Sequence, residues 1–89
     1  MRVALICKDK PGHLQVRLDN RAAHLAHIQQ SGVVEMAGPF LENDQMVGSL
    51  LILSVDTMEQ AQAWADADPY AKAGLFASVT LQEWRKVVG

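Results

Sequence analysis

Val47-Gly48-Ser49-Leu50-Leu51-Ile52-Leu53-Ser54-Val55 carries the strongest strand signal in the chain. Its apolar residues are successive rather than alternating, the pattern of a strand covered on both faces. Such a strand belongs at the centre of a sheet. Residues 33 to 39 (Val-Val-Glu-Met-Ala-Gly-Pro) precede it as a second strand. Pro39 cannot donate to a ladder, so that strand is at an edge or ends there. Glu42-Asn43-Asp44-Gln45 is the polar connection between the two.

Working outward, residues 2 to 8 (Arg-Val-Ala-Leu-Ile-Cys-Lys) form a further strand, apolar on both sides and stopped by Asp9-Lys10-Pro11-Gly12. From about Leu14 to Gln30 the pattern is helical. Leu14, Leu18, Ala22, Leu25 and Gln29 make the expected sheet-facing stripe, and Ser31-Gly32 is a glycine stop. Asp56-Thr57-Met58-Glu59 reads as a capping box with Asp56 at the cap. Met58, Ala61, Trp64 and Ala65 follow on one helical face. Pro69 biases Asp68 out of the helical region and ends that helix at about Ala67. Tyr70 to Leu75 is an irregular or one-turn link. Residues 75 to 84 then alternate, with Leu75, Ala77, Val79 and Leu81 on one side and Phe76, Ser78, Thr80 and Gln82 on the other.

The order β-α-β-β-α-β is the split-βαβ, ferredoxin-like arrangement, an α+β fold. Right-handed crossovers place both helices on one face of a four-stranded antiparallel sheet of order 4-1-3-2. The opposite face has no cover from its own chain, although two of its strands are apolar on both sides. A second copy packed sheet on sheet, a dimeric α+β barrel, is the expected remedy. The 89 residues, 49% of them hydrophobic, suit a single domain spanning 1–89 with a modest core. The net charge of −2, with no basic stripe, disfavours nucleic acid. No apolar run is long enough for a membrane span, and no signal segment is evident. Cys7 is the only cysteine and reads as a small buried hydrophobe, so a reducing cytoplasm is expected.

Candidate chemistry centres on Arg21-Ala22-Ala23-His24-Leu25-Ala26-His27 and Asp66-Ala67-Asp68-Pro69-Tyr70. On a helical wheel His24 lies at the margin of the apolar stripe, with Arg17, Arg21 and Ile28 nearby and His27 turned toward solvent. A histidine serves as general acid or base near neutral pH, and a carboxylate on its second nitrogen fixes the tautomer. Asp9 and Asp68 both arrive at the sheet end from which the first helix departs, so either can be that carboxylate. The bland alternative is a helix-margin histidine bonded to a backbone carbonyl. Arg17 and Arg21 can bind an anionic group, or else pair with Asp9 or Asp19. Ser49, at a strand start, can donate into a pocket. No metal is expected, because His24 and His27 are i, i+3 where the usual helical pair is i, i+4, and no third ligand is evident. Nucleotide and nucleophile-elbow motifs are missing as well, and no cofactor is expected.

Asp9-Lys10-Pro11, Arg21-Ala22-Ala23-His24-Leu25-Ala26, Gly32-Val33, Ala37-Gly38-Pro39-Phe40, Gly48-Ser49, Asp68-Pro69-Tyr70 and Ala73-Gly74-Leu75 run in an order and spacing that resembles the YciI-like (YCII-related) family of small bacterial proteins. The resemblance implies a ferredoxin-like fold, a homodimer and a histidine/aspartate-centred active site. It maps the histidine onto His24 and favours Asp68 as partner, with Asp9 as rival. Arg21, Gly38, Pro39, Ser49 and Tyr70 would line the cleft. It also brings in a relative that dehydrochlorinates hydroxyquinols, and a wider group containing muconolactone isomerase and cofactor-free monooxygenases. The expected function is a small cofactor-free lyase, dehydrochlorinase or isomerase acting on a small cyclic oxygenated substrate. The alternative is a non-catalytic, dimeric ligand-binding or accessory module.

Overall fold

The computed structural model describes residues 1–89. The elements are β1 (Arg2–Asp9), α1 (Leu14–Ser31), β2 (Val34–Glu42), β3 (Gln45–Ser54), α2 (Met58–Ala67), the single turn α3 (Pro69–Lys72) and β4 (Phe76–Trp84). They form one antiparallel sheet of order β2-β3-β1-β4. This is the ferredoxin-like α+β topology the sequence predicts, with β3 and β1 in the middle. Pro39 lies inside β2 rather than ending it, which an edge strand allows. No helix is long and apolar enough to cross a membrane.

The core lies between sheet and helices. Val3, Leu5 and Cys7 of β1 and Leu51 and Leu53 of β3 point to this side and meet Ala61, Trp64 and Ala65 of α2. Gly48 is obligatory at the β3–β1 pairing. A methyl group there would run into the Cys7 carbonyl oxygen and lie 3.1 Å from the Phe40 ring. The other sheet face carries Ile6, Leu50, Ile52, Met36 and Phe40. Ile52 is buried, whereas Met36 keeps 56% of its surface exposed.

Three local expectations are corrected. The cap of α2 is Thr57, not Asp56. Its hydroxyl accepts from the Gln60 backbone N–H at 3.1 Å, while the Gln60 side chain accepts from the Asp56 N–H at 2.7 Å. The cap is therefore one residue later and the box is modified, because Gln60 reaches back to the N–H of Asp56, the residue before the cap, instead of that of Thr57. In β4 the alternation breaks at a register shift opposite Lys8/Asp9. The extra residue turns Phe76 to the same side as Leu81, and both pack on the core.

The third correction concerns α1. Its residues buried most deeply are Arg17 and His24, not the leucine stripe. Leu18 and Leu25 remain 45% and 51% exposed. Charged and polar side chains go inward when buried partners await them. Here Asp9 receives Arg17, Asp68 receives His24, and the Trp64 indole donates to Ser31 Oγ at 2.9 Å. His27 is likewise not turned to solvent. It stacks on Trp64 with ring centroids 4.4 Å apart, and its Nε2 lies 3.1 Å from the Trp64 carbonyl oxygen.

Candidate functional site

The turn after α2 supplies the carboxylate. Pro69 occupies the first position of α3 and holds Asp68 extended as its N-cap. Asp68 Oδ1 accepts from the Tyr70 backbone N–H at 3.0 Å and lies 2.8 Å from His24 Nδ1. A carboxylate that accepts this bond places the proton on Nδ1 and leaves the lone pair on Nε2. Asp68 Oδ2 is buried with no hydrogen-bond partner within the chain. His24 and Tyr70 stack with centroids 3.9 Å apart and planes at 14°. The Arg17 guanidinium lies over the ring, 4.7 Å from its centroid, so Tyr70 is flanked by an imidazole and a cation.

Asp9 ends β1 on the same side of the sheet but serves a different partner. Arg17 Nε and Nη2 bond to its two carboxylate oxygens at 2.7 and 2.8 Å, and Nη2 also reaches Ser49 Oγ at 2.9 Å. Asp9 therefore pairs with Arg17 and not with His24. Burial opposes the charge on Arg17, but the Asp9 hydrogen bonds and charge outweigh it and hold its pKa above the ordinary arginine value. Burial raises the Tyr70 hydroxyl pKa against the pull of the nearby Arg17 and Arg21 charges. Burial, and next the Asp68 charge, push the Cys7 thiol from 9.0 up to about 12, so it is no nucleophile at neutral pH.

A cavity of about 150 Å³ lies between α1 and the β2–β3 edge. Arg17, Arg21, His24, Ser49 and Tyr70 supply its polar wall. Leu25, Ile28, Ala37, Pro39, Met46 and Leu51 supply the apolar one. His24 Nε2 has no partner within the chain, and His24 is one of the residues that line this cavity. Of the residues anticipated from sequence, His24, Arg21, Gly38, Pro39, Ser49 and Tyr70 line it. Asp68 stands behind the imidazole. Asp9 borders a neighbouring cavity instead. A methyl group at Gly38 would meet nothing within 4 Å, so no close approach demands glycine there.

One contributor, Met46, escaped the sequence reading of the site. Arg17, offered by the sequence as an anion binder or a partner of Asp9, takes the second role, and at seven residues, two helical turns, before His24 it shares that residue's face. Met46 lies at the start of β3 next to the hairpin, and nothing in its local sequence marks it as a cavity wall. His24 and His27 bond to partners on different elements and do not converge.

A family model described as the YCII-related domain matches residues 1–85. The chain is 37% identical to protein YciI of Escherichia coli O6:H1, over 98% of this chain and 99% of the relative. It is similar in structure to 5-chloro-2-hydroxyhydroquinone dehydrochlorinase (TftG) of Burkholderia phenoliruptrix AC1100, solved in complex with 2,5-dihydroxybenzoquinone. That match has a TM-score of 0.87 and 35% identity, over 96% of this chain and 94% of that one. An antibiotic biosynthesis monooxygenase, at 10% identity and a TM-score of 0.56 over 96% of this chain and 98% of that one, shares the fold alone. The chain belongs to the YCII-related, YciI-like family.

The paired charges at Asp9 generate a stability prediction. Arg17→Met strands a buried carboxylate and is expected to cost about 3–5 kcal/mol in urea unfolding. Replacing both residues with apolar ones (Asp9→Leu with Arg17→Met) is expected to cost less than Arg17→Met alone. A double variant no more stable than that single variant contradicts the pairing.

Proposed function

Starting from that family membership, we propose that this chain is a small cofactor-free enzyme of the lyase or isomerase kind. His24 is its general acid-base group and Asp68 orients it. The observation that carries the proposal is the 2.8 Å contact between His24 Nδ1 and Asp68, which leaves Nε2 unpaired in a residue that lines the cavity. An imidazole held this way takes a proton through Nε2, and the carboxylate stabilises the imidazolium that forms. A cavity near 150 Å³ suits one six-membered ring. Arg21 offers a cation for an anionic oxygen of the ligand, with Ser49, Gly38, Pro39 and Tyr70 shaping the remaining wall.

The chemistry needs no redox partner. In a dehydrochlorination the proton goes to His24 and chloride leaves the ring, a net loss of HCl. In an isomerisation the same proton returns to another carbon. The TftG likeness supports a chlorinated hydroxyquinol as first substrate to try.

Turnover of chlorohydroxyquinols and small lactones by wild type and His24→Ala tests this. Loss of the proton shuttle is expected to lower kcat by about 10²–10⁴-fold. Equal rates overturn it. Saturable binding without product, unaltered in His24→Gln, identifies a ligand-binding module instead.

We also propose a homodimer through the open sheet face, where Leu50 and Met36 stand exposed beside buried Ile52. Sedimentation is expected to give twice the 9.8 kDa chain mass, and Leu50→Glu to give the single-chain mass. A monomeric wild type contradicts it.

A further inference from the structure

A second cavity, of about 380 Å³, adjoins the first. Only Met46 borders both. The Asp9–Arg17 ion pair continues the same partition, because Arg17 faces the smaller cavity and Asp9 the larger. The wall is therefore a rigid, buried charge pair on one side and one flexible thioether side chain on the other. The larger cavity is cationic in effect. Lys8 and Lys10 line it, with Lys8 5.4 Å from the Phe40 ring centroid, and His13 is held by the Pro11 carbonyl at 2.9 Å. Of the carboxylates that line it, Asp9 is already neutralised by Arg17, which leaves Glu42 against two lysines.

We infer that Met46 is the specificity-determining residue of the His24 cavity. It limits the ligand to a single ring by closing off the adjoining cationic cavity, which would otherwise take an anionic side arm. This rests on the reading that the His24 cavity binds a small cyclic ligand. Truncating Met46 removes the one yielding part of the wall and leaves the ion pair in place. A pocket that rejects a substituent by bulk loses its discrimination when the blocking methylenes go. The lysines then favour a carboxylate at the end of the arm over a neutral amide.

The test is equilibrium binding of two probes, 2,5-dihydroxybenzoquinone and its ring-substituted analogue with a 2-carboxyethyl arm. The proteins are wild type, Met46→Ala and Met46→Leu. Wild type and Met46→Leu are expected to bind the unsubstituted ring at least tenfold more tightly than the analogue. In Met46→Ala that ratio is expected to fall at least tenfold, and less for a propanamide arm. Equal affinities of wild type for the two probes overturn the inference, as does an unchanged ratio in Met46→Ala. If wild type binds neither probe but Met46→Ala binds the analogue, the partition stands and the single-ring reading of the native ligand fails. Binding of neither by any of the three proteins overturns both.

Discussion

One carboxylate oxygen joins the two halves of the site. Asp68 Oδ1 accepts from the Tyr70 N–H and from His24 Nδ1 at once. The first bond starts the single turn of α3. The second ties that turn to α1, across forty-four residues of chain. Because Pro69 sets the backbone that presents the oxygen, the position of the imidazole follows from a local turn rather than from the distant packing of α1 alone. The Tyr70 ring then lies flat against His24, leaving the imidazole a stacking partner, a tautomer and one free nitrogen.

The second constraint is the buried pair of Asp9 and Arg17. Two charges removed from water cost several kcal/mol each, and only near-ideal bidentate geometry offsets that. Arg17 has this geometry and adds Ser49 Oγ as a third acceptor. Together the two pairs explain why α1 turns its polar side inward. They also explain the cavity. A helix docked through long polar side chains stands off from the β2–β3 edge, where Ala37, Gly38 and Pro39 are too small to fill the space.

Much of this was legible in the residues. The successive apolar positions of 47–55, the edge signal of Pro39 and the glycine stop at Gly32 are local backbone and burial effects, and they sufficed for element order and strand order. Asp68-Pro69-Tyr70 marked its turn for the same reason. The facing of α1 was not legible, because Leu14, Leu18, Ala22 and Leu25 outweigh Arg17 and His24 on any apolar count. Partners from β1, β3 and the 68–70 turn reverse that balance, and those contacts exist only once the elements have assembled. The choice between Asp9 and Asp68 was open for a related cause. Both reach one end of the sheet, and Arg17 decides the matter by claiming Asp9. Met46 carries no local signal because its role comes from two cavities that meet only after folding.

The central claim is that Asp68 holds the His24 imidazole with its proton on Nδ1 and its lone pair on Nε2 facing the cavity. Nitrogen-15 NMR of the histidine side chains at pH 8 reads this directly. The Nδ1–H tautomer is expected for His24 in wild type, and its loss as the dominant form in Asp68→Ala. A wild-type His24 in the Nε2–H form, or one unchanged by Asp68→Ala, would contradict it.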